Sequence, residues 1–147
     1  MYEFLKRVHP SASQDFSVGG RIAWAIHCYD AAKAARERED IATAVITLRE
    51  GMYAFPFPRL LELLGECLLQ EGNAVEATIY LAAAVGMSEE VEFRSLFLLG
   101  KALATANDNY VSKIILKKAL TIEQDQEAQE LLGEVINRSK PVNEQHP

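Results

Sequence analysis

The stretch LLELLGECLLQEGNAVEATIYLAAAV, residues 60–85, decides the fold of this chain, because its pattern returns 35 residues later. Seven positions match between the two copies: Leu61, Leu64, Gly65, Leu68, Ala77, Leu81 and Ala84 recur as Leu96, Leu99, Gly100, Leu103, Ser112, Leu116 and Ala119. A period of about 34 to 35 residues with large apolar and small residues at fixed places is typical of stacked helix pairs. Each copy therefore predicts a helical hairpin.

Two glycines stand in the middle of the predicted first helices, at Gly65 and Gly100. A glycine inside a helix costs about 1 kcal/mol relative to alanine. A helix tolerates that cost where a neighbouring element must approach closely, and the small residues Ala77, Ala84 and Ala119 of the second helices fit the same explanation. The pattern predicts tight packing between the two helices of each hairpin.

A weaker copy precedes these two hairpins at a shift of 33 residues. Its matching positions are mostly small or apolar: Cys28, Ala31, Ala32, Ala35, Ala44, Leu48 and Gly51. They predict a first hairpin with helices at about residues 21–39 and 40–53. After the third hairpin, residues 125–138 carry one apolar stripe with i, i+3, i+4, i+7 spacing, made of Ala128, Leu131, Leu132, Val135 and Ile136. This amphipathic segment predicts a terminal capping helix.

The repeat resembles the tetratricopeptide repeat. The first helices have a large apolar residue, an apolar-small pair and another large residue, while the second helices have small, large and small residues in turn. Leucines replace the family's usual tryptophan and tyrosine, and its closing proline is missing after both units. The resemblance implies an all-α fold, a right-handed α-solenoid of about three hairpins (units 21–57, 58–91 and 92–122) with a capping helix at 125–138. Residues 1–20 are expected to form a short helix and a loop, and residues 139–147 a flexible tail.

Residues that begin and end helices agree with this division of the chain. Asn73 and Asp108 follow the turns of two hairpins and are good N-caps. Pro58 is tolerated at a helix start and follows the break at residues 55–57. Ser88, followed by two glutamates, is expected to open the third unit. The segment from Pro10 to Gly20 is predicted to be a loop, preceded by a short helix at residues 2–8.

Length and composition indicate one globular domain. The chain has 147 residues, 49% of them hydrophobic and 24% charged, which is ordinary for a globular protein. No apolar run reaches the roughly 18 to 20 residues of a membrane helix, and the N-terminus lacks the pattern of a secretory signal. We expect a cytoplasmic protein without a membrane partner. Cys28 and Cys67 fall among apolar neighbours and are expected to be buried free thiols.

Charge is distributed unevenly along the chain. The net charge of −6 argues against binding to nucleic acid. Residues 58–91 carry a net charge of −5, residues 92–122 of +3 and residues 123–147 of −4. Part of the positive band lies on a second helix, at Lys113, Lys117 and Lys118, where a solvated face is the simpler interpretation. A docking stripe for an acidic partner or a second copy is the sharper one.

The sequence offers little support for catalysis. His27 and Cys28 are adjacent on a predicted helix, and consecutive helical residues point about 100° apart, so they do not form a positioned dyad. Gly19 and Gly20 lack the lysine and spacing of a phosphate loop, and the three histidines share no metal-ligand spacing. Glu62 and Glu66 share a helix face and are interpreted as a polar wall. We expect no enzyme activity, no cofactor and no metal.

The resemblance implies where a partner would bind. In tetratricopeptide arrays the first helices line a concave groove, and the matching positions here are Tyr29, Asp30, Lys33, Arg59, Glu62, Leu63, Glu66, Leu69, Arg94, Phe97, Leu98 and Lys101. The carboxylate clamp of chaperone-cofactor members is absent from these positions. Four apolar residues among mixed charges favour an extended segment or an amphipathic helix with two or three apolar anchors. The alternative is that some of these leucines belong to the core.

The expected function is therefore a non-catalytic protein-protein interaction module that binds a peptide or helix of a partner protein. Small, acidic type III secretion chaperones of the tetratricopeptide class are similar in size and charge, so a chaperone-like role is one alternative. A self-associating structural subunit, a homodimer formed through the end or outer face of the array, is the other. An enzyme would need an apolar pocket with convergent polar groups, which the sequence does not indicate.

Overall fold

The computed structural model describes residues 17–141 and residue 143, and within these residues the chain is all-α. Seven α-helices, and no strand, are present in that part of the chain. We number them in chain order: α1 Val18–Glu37, α2 Ile41–Ala54, α3 Pro58–Gln70, α4 Ala74–Met87, α5 Phe93–Thr105, α6 Asn109–Ile122 and α7 Gln126–Arg138. None of these seven is long and apolar enough to span a bilayer.

Neighbouring helices pack in pairs. The most extensive contacts join α1 to α2, α3 to α4 and α5 to α6, and smaller ones join α2 to α3, α4 to α5 and α6 to α7. Helices α3 and α5 also touch each other, as do α5 and α7. The predicted all-α fold of helical hairpins is confirmed at this level. The course and hand of a solenoid stay predictions.

Leucines and alanines of both helices in each pair make the core. Leu64 and Leu68 of α3, together with Leu81 of α4, are buried in one large cluster that extends from α1 to α5. A second cluster lies around Leu116 and Val135, where α7 packs against the last hairpin. Residues of the apolar stripe of α7 therefore pack against the last hairpin, and the capping of a solenoid stays a prediction.

The two mid-helix glycines lie where the paired helices come closest. A Cβ built on Gly65 would lie 2.5 Å from Cγ of Leu81, and one on Gly100 would lie 2.6 Å from Cδ2 of Leu116. The predicted tight packing within the hairpins is confirmed, although the nearest atoms belong to leucine side chains of the paired helix and not to its backbone. Ser112 differs from its counterpart Ala77 because its buried hydroxyl donates a hydrogen bond of 2.7 Å to the carbonyl oxygen of Gly100.

The three hairpin turns are equivalent in structure as well as in sequence. Glu39, Gly72 and Asn107 are 33 and 35 residues apart and all have positive φ, of 62°, 84° and 66°. After each of them a backbone N–H returns to a carbonyl five residues earlier at 2.9 Å, as Asp40 does to Ala35. This is the Schellman arrangement, which needs one left-handed residue. Each hairpin therefore closes in the same way.

The ends of several helices differ from the predictions. Asp108 caps α6 by accepting a hydrogen bond from the N–H of Val111 at 3.2 Å. Asn73 does not cap α4 in this way, because its side-chain amide donates to Glu76 at 2.8 Å instead. Ser88 ends α4 rather than opening the third unit, and α5 begins at Phe93.

At the other end of the chain, the predicted loop at residues 10–20 is too long. Helix α1 already begins at Val18, because the hydroxyl of Ser17 accepts a hydrogen bond of 3.1 Å from the N–H of Gly20 and caps it. The short helix expected at residues 2–8 lies outside the described residues, and so does most of the expected tail beyond Pro141.

Candidate functional site

A row of ion pairs ties α1, α3 and α5 together on one side of the chain. The guanidinium of Arg36 on α1 lies 2.9 Å from the carboxylate of Glu66 on α3, and Arg94 on α5 contacts the same carboxylate at 2.8 Å. Arg94 also lies 3.4 Å from Glu62. The first helices of the three hairpins therefore share one face, which we call the groove face and define by Tyr29, Lys33, Arg36, Arg59, Glu62, Glu66, Glu92 and Arg94.

These contacts hold the side chains of the groove face in place. Partial burial alone would lower the pKa of Arg94, but the carboxylates of Glu66 and Glu62 outweigh it and raise that pKa above its ordinary value. The hydroxyl of Ser95 donates a hydrogen bond of 2.9 Å to Glu62. The middle of the groove face is therefore connected by charge-assisted contacts within the chain.

Two adjoining cavities open on this face. One, of about 180 Å³, is lined by all eight residues of the groove face together with Leu63. The other, of about 380 Å³, lies beside the connection between α4 and α5 and shares Arg59, Glu62 and Glu92 with the first. Shared lining residues make the two cavities one continuous depression.

The two ends of this depression carry opposite charge. Lys33 and Arg59 line the smaller cavity, and neither forms an ion pair within the described part of the chain. The ammonium of Lys33 lies 5.5 Å from the ring centre of Tyr29. Glu89 and Glu90 line the larger cavity alone, and Lys33 lines the smaller cavity alone, whereas Arg59 and Glu92 line both. The depression can bind an anionic group at one end and a cationic group at the other.

Two of the predicted groove residues belong to the core instead. Leu63 is 6% exposed and Leu98 is 7% exposed, and both pack in the large apolar cluster. Leu63 also lines the smaller cavity, whereas Leu98 lines neither. Their burial agrees with the alternative that some of these leucines belong to the core, and their role as apolar anchors for a partner stays a prediction.

The remaining predicted residues are spread along the same side. Leu69 is half-buried against the large cluster, and Phe97 is half-buried against the second cluster, where its ring stacks on Phe93 at 5.7 Å between centres. Lys101 lies 3.6 Å from Glu127 of α7 and 6.0 Å from the ring centre of Phe97. Asp30 is exposed on α1. None of these four lines either cavity.

Sequence reasoning missed two members of the groove face, Arg36 and Glu92. A signal for Arg36 was available, because it stands 33 residues before Leu69 and so occupies an equivalent place in the first unit. Glu92 had no such signal. It precedes α5 directly, and its place beside the cavities depends on where that helix begins, one turn later than the sequence suggests.

The other groups considered for chemistry do not gather into a second site. Burial raises the pKa of the Cys28 thiol to about 12 and that of Cys67 to about 11, so both are protonated at neutral pH. Among the described residues no three histidine, cysteine, aspartate or glutamate side chains are placed to hold a metal ion together. Lys117 and Lys118 are exposed on α6, and Lys113 lies 6.0 Å from the ring centre of Tyr110.

No protein-family model matches this chain, and no curated protein is significantly similar to it. The site is therefore interpreted from its own geometry.

Proposed function

We propose that this chain is a non-catalytic protein-interaction module of the tetratricopeptide type, a right-handed α-solenoid that holds an extended segment of a partner protein on its groove face. Three features support the fold part of the proposal. They are the 33- and 35-residue repeat spacing, the pairwise packing of the helices and the identical Schellman turns at Glu39, Gly72 and Asn107.

The functional part of the proposal rests on one observation, which is that the two ends of the depression carry opposite charge. Lys33 and Arg59 lack carboxylate partners among the described residues, whereas Arg36 and Arg94 beside them are neutralised by Glu66 and Glu62. A cation without a partner in a cavity is available for an acidic side chain of a ligand. Glu89 and Glu90 offer the complementary place for a lysine or arginine of the same ligand.

The partner is thus a segment that carries an acidic residue and, several residues away, a basic one. An extended strand of peptide rises about 3.3 Å per residue, so a few residues suffice to join two adjoining cavities. Leu63 and Leu98 are largely buried and therefore offer little apolar surface to a partner on this face. We therefore favour recognition through charge over capture of an apolar helix.

The test compares two double charge reversals that change the net charge by the same amount. The first, Lys33→Glu with Arg59→Glu, inverts the basic end of the groove face. The second, Lys117→Glu with Lys118→Glu, inverts two exposed lysines of α6. Each variant and the wild-type chain serve as bait in lysate of the source organism, after circular dichroism has shown equal helix content.

We expect one or more partners to be captured by the wild type and the α6 variant and to be lost from the groove variant. Binding to synthetic peptides of the captured partner should then weaken as salt is raised, because the contacts are ionic. Capture of the same partners by the groove variant would contradict the proposal. A loss confined to the α6 variant would instead favour the basic band on the outside.

A further inference from the structure

The exposed apolar side chains of this chain concentrate on the second helices of the hairpins. Within the described residues, nine of the eleven exposed large apolar side chains lie on α2, α4 or α6, and the other two are Val18 and Ile26 of α1. Helix α7, which packs against the last hairpin, contributes none of them. In the part of the chain that the structure describes, most of the exposed large apolar side chains thus lie on the second helices.

Equivalent places in successive hairpins carry these residues. Ile46, Ile79 and Ile114 are separated by 33 and 35 residues and are 56%, 62% and 47% exposed. Val75 and Tyr110 form a second equivalent pair, 69% and 70% exposed. We call these five residues the outer face. A single exposed isoleucine is ordinary, but isoleucine forms helices less readily than lysine or glutamate, and here it fills the same exposed place three times.

The central helix of the three, α4, has features that internal packing does not explain. From Ala77 to Ser88 its sequence contains no charged residue. Ala82, Ala83 and Gly86 are exposed on it. A Cβ built on Gly86 would meet nothing within 4 Å, in contrast to the close contacts at Gly65. The exposed side of α4 from Ala77 to Ser88 is therefore uncharged and made largely of small residues.

We propose that the outer face is the contact surface of a homodimer, in which α4 of two copies lie against each other along a two-fold axis and α2 and α6 flank them. Most soluble oligomers are symmetric pairs of this kind, in which one patch is its own complement. A surface that contacts the same surface of a second copy must not bring like charges together. Helix α4 satisfies this condition, because it has no charged residue after Glu76.

The distribution of charge favours dimerisation through the outer face over dimerisation through another surface of the molecule. Two chains of net charge −6 repel each other. The acidic residues of the second hairpin lie away from the outer face, at Glu62 and Glu66 on the groove face, or are neutralised, as Glu76 is by Arg49 at 2.6 Å. A two-fold axis parallel to α4 places α6 of one copy opposite α2 of the other. The exposed lysines of the two α6 helices then lie far from each other.

The size of the surface is also sufficient. A 14-residue helix is about 21 Å long and presents a strip about 10 Å wide, so each of α2, α4 and α6 offers roughly 200 Å². Three such strips from each of two copies amount to at most about 1,200 Å², the lower end of the range for specific interfaces. We expect a dimer that dissociates in the micromolar range.

Sedimentation equilibrium of the full chain tests this directly. We expect the mass to rise from 16.4 kDa to twice that value between about 1 and about 300 µM, concentrations that bracket a micromolar dissociation constant. Ile79→Lys should weaken the dimer at least about 100-fold, because it buries a charge at the centre of the contact. Ile26→Lys, on the exposed side of α1, is the matched control and should leave the dimer unchanged.

Oxidative cross-linking tests the geometry independently of affinity. Ala82→Cys, at the middle of α4, should give a disulfide-linked dimer, because a residue beside a two-fold axis meets its own copy. Ala34→Cys, exposed on α1, should not, and the native thiols are buried in both variants. A monomer at every concentration overturns the proposal. So does a dimer that survives Ile79→Lys and is lost with Ile26→Lys, because its contact would then lie on α1.

Discussion

The groove face and the outer face are built from the same helical hairpins and yet have opposite chemistry. On the groove face Arg36, Glu66, Arg94 and Glu62 form a connected row of ion pairs around cavities. On the outer face branched and aromatic side chains stand exposed without a charged neighbour at the centre. The difference teaches that one repeat of buried positions is compatible with two surfaces of opposite chemistry. Each face is free to take the composition that its own contacts require.

The two faces also differ in how firmly their side chains are held. The groove face is ordered by contacts between successive first helices, since Glu66 alone links α1 to α5. On the other side, among the described residues, Arg49 of α2 forms the ion pair between second helices, with Glu76 of α4, and also donates a hydrogen bond of 3.4 Å to the hydroxyl of Tyr80. A preordered charged surface suits specific recognition of a small segment. A broad apolar surface suits association over a larger area.

The largest expected effect is a loss of folding stability that distinguishes a buried side chain of the first helices from a half-buried one. Leu63→Arg should destabilise the fold by about 3 kcal/mol or more, because it puts a charge into the apolar cluster. Phe97→Arg, at a half-buried place, should cost about 1 kcal/mol. Urea unfolding followed by circular dichroism measures both. Similar losses in the two variants would show that Leu63 is no more buried than Phe97.

The fold could be predicted from this sequence because its periodic signals come from buried positions. Leu61, Leu64, Gly65 and Leu68 repeat at 35 residues because each must fill the same space against the next helix. Close packing allows little variation at such places. The helix ends were predicted less well, since capping depends on the choice of a single hydrogen bond. Asn73 bonds to Glu76 where Asp108 bonds to a backbone N–H.

The site was predicted only in part, because which face of a helix is buried depends on its neighbours in space. Tyr29, Lys33, Arg59, Glu62, Glu66 and Arg94 line one cavity together with Leu63, and their role in binding a partner stays a prediction. Leu63 and Leu98 are nevertheless buried, since the first helices are apolar over a wider arc than two contact rows need. Ion pairs such as Arg36 with Glu66 join different repeats and leave no local signal in the sequence.

The second prediction contrasts a glycine between paired helices with one on the outer side. Gly65→Ala should destabilise the fold by about 2 kcal/mol, because its Cβ collides with Leu81 in a packed core. Gly86→Ala should stabilise it by about 0.5 to 1 kcal/mol, because the helix gains a better former and nothing lies near. Thermal unfolding at a concentration where the chain is monomeric measures the two shifts, and equal signs would contradict the contrast.

Gly133 provides the control for that pair. Its Cβ would also meet nothing within 4 Å, and it lies on α7, away from the outer face. Gly133→Ala should therefore stabilise the monomer about as much as Gly86→Ala does.

A smaller effect tests the row of ion pairs. Glu66→Gln removes the carboxylate that both Arg36 and Arg94 contact, and it should destabilise the fold by about 1 kcal/mol. Glu127→Gln removes the partner of Lys101, a longer contact between more exposed side chains, and should have almost no effect. Chemical unfolding at low and high salt distinguishes them, because salt should reduce the difference between wild type and Glu66→Gln. Equal effects would mean that the groove face is not preordered by this row.

The smallest effect concerns the one ion pair between second helices. Hydrogen bonding from Arg49 holds the pKa of Glu76 below its ordinary value of 4.5. The folded state therefore favours the carboxylate. Its contribution to the free energy of unfolding is present above pH 4.5 and is lost as the pH falls further.

Arg49→Gln should destabilise the fold by about 0.5 kcal/mol at pH 7, and the difference from wild type should shrink in acid. Lys117→Gln, at a lysine without an ion pair in the described residues, should show no such pH dependence. Unfolding curves measured from pH 7 to pH 3 test this prediction. A difference that shrinks in acid would show that the Arg49–Glu76 pair stabilises the packing of α2 against α4. No difference at any pH would show that core packing alone holds these helices together.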